Sequence, residues 1–200
     1  MSQILVLFAH PALEKSRVQR FLLKAISGLG NVTINDLYER YPDFDIDVRK
    51  EKKLLLAHDI IIWQHPFYWY SSPALLKQWL DLVLEHGWAY GKNGTALTGK
   101  KVFNVLTSGG TSGAYKKGGH NRYPIHEYLK PFEQTANLCG MTYWPPFWIP
   151  GVHKMEKERI DQYSTLYREL LIGLSDDQIS EEEILKVPFL NQLFPVNTID

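Results

Sequence analysis

The stretch from Asp59 to Gly87 constrains this chain more than any other. Its unbroken apolar run, Ile60-Ile61-Ile62-Trp63, is short and β-branched. Such a run reads as a strand buried on both faces, and hence as part of a parallel sheet. An amphipathic helix follows, with Ser72 placed to cap it, Pro73 suited to its first position and Gly87 at its stop. Between strand and helix stand Pro66 and four consecutive aromatics, Phe67-Tyr68-Trp69-Tyr70. In an open α/β sheet this loop lies at the carboxyl edge of the strands, where ligands bind. Loops face water, so aromatics are out of place there unless something flat covers them.

Apolar runs and helix-period segments alternate along most of the chain. Strands are expected at Ile4 to Ala9, Val32 to Leu37, the run above, Lys101 to Thr107 and Met141 to Trp144. Helices are expected over Val18 to Leu29 (Ser16 as cap, Gly28 and Gly30 at the exit), near Arg49 to Ala57, and after Pro73. Two more are expected over Pro124 to Leu138 and Met155 to Ile172. Five such units are too few for a closed barrel of about eight. The predicted fold is therefore α/β, a doubly wound five-stranded parallel sheet of order 2-1-3-4-5 with helices on both faces. This domain is assigned to residues 1–174. The tail, 175–200, combines acidic residues (Asp176, Asp177, Glu181 to Glu183) with apolar ones (Ile184, Leu185, Phe189, Leu190). It is expected to dock on its own body or on a partner subunit.

Composition narrows the function classes. The 200 residues carry a formal net charge of +0, which gives no basis for a nucleic-acid partner or an electrostatically held membrane surface. A lone cysteine, Cys139, excludes an internal disulfide framework and suits a reducing cytoplasm. No apolar run approaches the roughly 18 residues of a membrane span, and Met1-Ser2-Gln3 leads straight into a strand, so no signal peptide is expected. The histidines show neither the spacing nor the carboxylate company of a metal site, and no metal is predicted.

Three loops converge at the carboxyl edge in this topology. The first, His10 to Arg17, feeds a helix N-terminus whose unpaired N–H groups attract an anion such as phosphate. Taken alone it reads first as a capped helix with surface basic residues. The second, Pro66 to Ser71, is an aromatic ledge, or else a hydrophobic plug or subunit contact. The third, Thr107 to Gly113, lets backbone N–H groups approach a planar polar ligand, or is simply a turn. Beyond it Tyr115 and His120 sit on a glycine-rich excursion. Neither a phosphate loop of the Gly-x4-Gly-Lys-Ser type nor Gly-x-Gly-x-x-Gly is present, and no Gly-x-Ser-x-Gly elbow occurs. Together, a phosphate nest, an aromatic ledge and a glycine-rich bed describe the needs of flavin mononucleotide.

Several segments also resemble a known family. These are His10-Pro11 with Ser16, Trp63-Gln64-His65-Pro66-x-x-Trp69-Tyr70, Pro73-Ala74-Leu75-Leu76-Lys77, Gly87-Trp88-Ala89-Tyr90-Gly91 and Thr107-Ser108-Gly109-Gly110. They are similar to the NAD(P)H:quinone oxidoreductase family of flavodoxin-like flavoproteins and, within it, to the bacterial ancillary subunits of glutathione-regulated potassium-efflux systems. Asp36-Leu37-Tyr38, Tyr41-Pro42-Asp43-Phe44 and Asn121-Arg122-Tyr123-Pro124 share that likeness, which spans residues 3 to 172.

The resemblance implies a flavodoxin-like domain that holds FMN, with FAD left open, and uses NAD(P)H as co-substrate. It implies two-electron hydride transfer through flavin N5 to a quinone or similar planar acceptor. By the same likeness, His10, Ser16, Arg17, Val18 and Gln19 would hold the phosphate and ribityl chain. Pro66, Phe67, Tyr68, Trp69 and Tyr70 would flank the ring, and Thr107, Ser108, Gly109 and Gly110 would bond its pyrimidine edge. Tyr115 and His120 match a catalytic pair near flavin O2 and N1. Gln19 stands where the family usually has Asn, and Ser108 where it commonly has Thr. The resemblance further implies a homodimer, for which Trp79, Trp88, Trp144 and Trp148 offer contact surface. Its other expectations are a cytoplasmic location, on the inner face of the membrane if a potassium-efflux antiporter is the partner, and regulation of that antiporter or azo- or nitro-reduction as alternative roles.

Overall fold

A computed structural model describes residues 1–194 of the chain. Strand β1 (Ile4–Phe8) is buried along its whole length, as is β3 (Ile60–Pro66). They pair in parallel with each other and with β2 (Val32–Asp36) and β4 (Lys101–Thr107). With β5 (Thr142–Tyr143) the order is β2-β1-β3-β4-β5, the predicted doubly wound arrangement. Alternation along the central strands sorts the core into two layers. Ile4, Val6, Phe8, Ile60 and Ile62 face α1 (Gln19–Ile26) and α7 (Lys157–Ser175). Leu5, Leu7, Ile61 and Trp63 face α3 (Val48–Ala57), α4 (Ala74–Val83) and α6 (Lys130–Leu138).

One correction concerns the edge of the sheet. The strand expected over Met141 to Trp144 ends after Tyr143, and a sixth strand, β6 (Phe147–Ile149), resumes beside β4. Pro145-Pro146 lies between them. Proline has no N–H to give a ladder, so the pair breaks one edge strand into two. The consequence is functional, because β6 runs beside the far end of β4, with Ile149 opposite Thr107.

Helix boundaries shift for local reasons. The second strand stops at Asp36, whose carboxylate accepts from the Tyr38 and Glu39 N–H groups and opens α2 (Leu37–Arg40). The helix expected over Pro124 to Leu138 divides at Leu129 into α5 (Ile125–Tyr128) and α6. Helix α1 ends at Ile26, before Gly28 turns left-handed at φ 83°. Helix α4 begins at Ala74 after Pro73, so Ser72 is not its cap, and the buried Ser72 hydroxyl has no partner. Trp79, Trp144 and Trp148, offered above as dimer surface, lie in this chain's own core.

The segment after α7 packs on the sheet edge. Helix α8 (Glu181–Lys186) starts with a Ser180–Glu183 capping box, and Ile184 and Leu190 are fully buried. Asn191 accepts from the Trp148 N–H (2.8 Å) and donates to its carbonyl (3.0 Å), covering the open edge of β6. Residues 195–200 of the tail lie outside the described part. Among the described residues no helix is long and apolar enough to cross a membrane.

At the end of β3, His65 is enclosed. Tyr143 OH donates to Asn104 Oδ1, which leaves the Asn104 amide nitrogen to donate to His65 Nε2 (3.0 Å). Nδ1–H then donates to the Pro66 carbonyl (3.0 Å), so the ring is held neutral. Burial pulls its pKa from 6.5 down to about 4. The unfolded chain therefore takes up a proton that the folded chain refuses, and stability falls as pH drops through that window. We expect His65 to remove about 3 kcal/mol of stability between pH 6.5 and pH 4. Urea unfolding of the wild type and His65→Gln at several pH values checks this, and parallel profiles would refute it.

Candidate functional site

The carboxyl ends of β1, β3 and β4 are brought level by the sheet register, Phe8 beside Gln64 and Pro66 beside Thr107. Beneath them runs a buried chain of side chains. Tyr167 OH donates to Gln64 Oε1 (2.8 Å), and Gln64 Nε2 donates to Gln19 Oε1 (2.8 Å). Gln19 Nε2 in turn donates to Thr107 Oγ1 (3.2 Å). Buried amides must be paired, so these contacts fasten the first turn of α1 to the floor of β4. Gln19 thus points inward and is fully buried, and the Val18 side chain belongs to the core under α1. Val18 and Gln19 therefore offer a ligand no side chain, whereas Arg17 and Arg20 on either side are exposed. Ser16 Oγ accepts from the Gln19 N–H (3.1 Å), whereas the Arg17 and Val18 N–H groups donate to no described partner. Arg17 reaches across to the carbonyls of His153 (3.3 Å) and Met155 (3.0 Å).

His10 closes this corner. Its Nδ1 accepts from the Ala12 N–H (3.1 Å), which leaves Nε2 to carry the ring proton. Burial lowers its pKa, partly opposed by the Glu14 carboxylate, so the ring is a neutral donor at physiological pH. Its ring meets Tyr68 edge-on at 6.0 Å, linking the first loop to the second.

After Pro66 the chain makes a tight reversal in which the Ser71 N–H donates to the Tyr68 carbonyl (3.0 Å). Its two central residues, Trp69 and Tyr70, are left-handed at φ 49° and 64°. Such positions favour Asn and Gly and cost other residues about 1–3 kcal/mol each. Neighbours hold the turn. The Phe67 N–H donates to the Thr107 carbonyl (2.7 Å), and Tyr70 stacks on Tyr128 at 5.2 Å. Trp69, by contrast, is 93% exposed and packs on almost nothing.

The third loop meets this turn across a cleft of about 650 Å³. Phe67, Trp69, Tyr70, Gly109 and Gly110 line it, and so do Tyr115 and His120. The His153 and Tyr115 side chains lie directly on the glycine peptides: a Cβ on Gly109 would sit 2.3 Å from His153 Nε2, and one on Gly110 2.9 Å from Tyr115 Cε2. Thr107 and Ser108 are buried behind them, with the Trp148 indole donating to Ser108 Oγ (3.0 Å). Tyr115 packs edge-on against Phe67 (5.8 Å) and Trp148 (5.6 Å). Burial, reinforced by the neighbouring Tyr70 and Tyr128, raises its pKa and keeps it a protonated donor. His120 stands exposed at the rim. Asn121, Gly151, His153 and Lys154 also line the cleft. The last three follow β6, a strand the sequence did not reveal, so no local signal placed them here.

The arrangement suits a phosphorylated planar ligand. Backbone N–H groups and the neutral His10 lie at one end, an exposed aromatic turn in the middle, and glycine peptides with the Tyr115 hydroxyl at the other. Gly109 and Gly110 line the cleft with peptides that carry no side chain, as close approach of a flavin edge needs. We expect Trp69→Gly to raise unfolding free energy by about 0.5–1 kcal/mol, since it relieves a left-handed residue with little packing to lose. Thermal unfolding checks this; a destabilised variant would show that the indole supports the fold.

Comparison with known proteins agrees with this geometry. A family model described as flavodoxin-like fold matches residues 2–171. The glutathione-regulated potassium-efflux system ancillary protein KefG of Serratia proteamaculans (strain 568) is 45% identical over 169 residues, covering 84% of this chain and 92% of the relative. General stress protein 14 of Treponema denticola, solved in complex with FMN, superposes with a TM-score of 0.82 at 36% identity, covering 86% of this chain and 99% of that one. An NADPH-quinone reductase from P. pentosaceus gives 0.76 at 35% identity, covering 84% and 96%. The chain therefore belongs to the flavodoxin-like family that also contains the potassium-efflux ancillary proteins.

Proposed function

We propose that this protein is an FMN-dependent NAD(P)H:quinone oxidoreductase. The observation that carries this reading is the single cleft shared by the strained Trp69-Tyr70 turn and the Gly109-Gly110 peptides. Bound FMN would supply a two-electron carrier between NAD(P)H and a planar acceptor. The Arg17 and Val18 N–H groups and His10 Nε2 would hold its phosphate. Trp69 and Tyr70 would offer flat faces to the ring and to planar substrates by stacking. The Gly109 and Gly110 N–H groups and the Tyr115 hydroxyl would stabilise negative charge at the pyrimidine edge. His120, exposed where it lines the cleft, would be the group that passes a proton between that edge and solvent. The FMN in the Treponema structure and the reductase name of the P. pentosaceus protein support the reading.

A second reading is favoured by the KefG relative at 45% identity. Here the protein would activate a potassium-efflux antiporter from the cytoplasmic side, as a homodimer, with flavin chemistry as its regulator or companion. Potassium efflux measured with a flavin-free variant separates the two roles.

The purified protein should be yellow and should bleach on anaerobic addition of NADPH or NADH. We expect His120→Gln to slow flavin reduction or quinone turnover by about tenfold or more while changing FMN affinity less, and Tyr115→Phe to act in the same direction. Stopped-flow reduction paired with FMN titration checks this. Unchanged kinetics in both variants would remove the pair from the mechanism, and a colourless protein that fails to bind added FMN would end the reading.

A further inference from the structure

Beside the cleft lies a second cavity, also of about 650 Å³, a size that suits a small-molecule ligand. Thr111, Gly151 and Lys154 line both spaces, so one molecule with a head and a long substituent can occupy the two together. The walls of the second cavity are largely apolar. Trp148 and Pro150 come from β6 and the residue after it, Met155 from the approach to α7 and Tyr163 from that helix. Phe189 and Phe194 come from the tail. Most polar groups on these walls are already engaged or face water. The Trp148 indole donates to Ser108 Oγ (3.0 Å), and the Asn191 amide bonds the Trp148 backbone twice (2.8 and 3.0 Å). The Arg159 guanidinium lies 5.9 Å from the Tyr163 ring, and Lys154 belongs to the part shared with the cleft. Thr111, Ser112 and Gln192 are exposed. A space whose donors and acceptors are spent gains most from an occupant that asks for none.

The tail builds one side of this cavity. Phe189 rests against Trp148 at 5.3 Å and His126 at 4.6 Å, and the Leu190 N–H donates to the Pro146 carbonyl (3.0 Å). The apolar residues of the tail thereby divide. Ile184 and Leu190 are fully buried in the fold, whereas Phe189 and Phe194 stay partly exposed and line the cavity. Residues 189–194 also lie beyond the flavodoxin-like match at 2–171, so this wall is an addition to the shared body. We propose that the cavity takes the alkyl or isoprenoid side chain of the quinone acceptor while the quinone ring occupies the adjoining cleft, and that the tail sets this preference. The proposal rests on the reading that the protein reduces a quinone in that cleft. Rings and a thioether contact a flexible chain without dictating its shape, and each methylene taken out of water adds affinity.

The test compares two quinones that share one head, 2-methyl-1,4-naphthoquinone and the same ring carrying a geranyl chain at carbon 3. Purified protein with FMN added is titrated with each by calorimetry, without nucleotide and below the concentration at which the chain aggregates. We expect the geranyl compound to bind about tenfold tighter or better. Phe194→Glu puts charge on the wall, and Ser112→Phe fills the space from an exposed position. Each should remove most of the preference, and Phe194→Leu should retain it. The ratio of kcat/KM for the two quinones should shift towards the chainless one in the same two variants. Equal affinities, or a preference unchanged in either variant, would overturn the proposal. So would a chain ended after Phe194 that binds the geranyl compound about tenfold tighter than the full chain, since residues 195–200 would then be the occupant. Rapid reduction of both quinones without discrimination would sink the cavity assignment and leave the reductase reading standing. Chain-dependent binding without reduction by NADPH or NADH would uphold the cavity and count against the reductase reading instead.

Discussion

Four polar side chains with almost no contact with water set the geometry of the cleft. Tyr167, Gln64, Gln19 and Thr107 each bond the next, joining α7, β3, α1 and β4. An amide left unpaired in such surroundings costs about 1–3 kcal/mol, so the chain is stable only when complete. That condition fixes where α1 begins relative to the end of β4. The backbone suited to phosphate and the peptides suited to a ring edge are thereby spaced before any ligand arrives.

The aromatic turn shows the complementary principle. Trp69 and Tyr70 occupy backbone conformations they would not choose alone, and Trp69 recovers little by packing. The strain is held by Phe67 on the Thr107 carbonyl and by Tyr70 on Tyr128. A platform fixed in this way loses little freedom when something stacks on it. His10 and Tyr115 share this readiness, because burial keeps each neutral and proton-bearing, able to donate a hydrogen bond without needing a counter-charge.

Much of this was legible in the chain. The fully apolar runs of β1 and β3 announced a parallel sheet, and the sheet order followed from alternation and short connections. The residues of the turn and the glycine loop were visible because aromatics and glycines in those positions contradict what ordinary loops need. Other parts were hidden for identifiable reasons. Pro145-Pro146 looks like the end of an edge strand, whereas β6 resumes beyond it and carries Gly151, His153 and Lys154 to the cleft. Gln19 opens α1, where the family resemblance implied ligand contact, yet its amide is drawn inward because Gln64 and Thr107 need partners. Trp79, Trp144 and Trp148 looked like surplus surface and fill this chain's own interior.

By itself the sequence determined the four long strands, the main helices, their order and the loops at the carboxyl edge, because periodicity, run length and turn chemistry act over a few residues. Only the tertiary structure decided which side chains of those loops face the cleft. It alone also placed His153 beside Gly109, and Lys154 and Arg159 on the wall next to it. These placements depend on burying polar groups in pairs and on one edge strand broken by two prolines. Both are satisfied between segments far apart in the chain, where no local pattern records them.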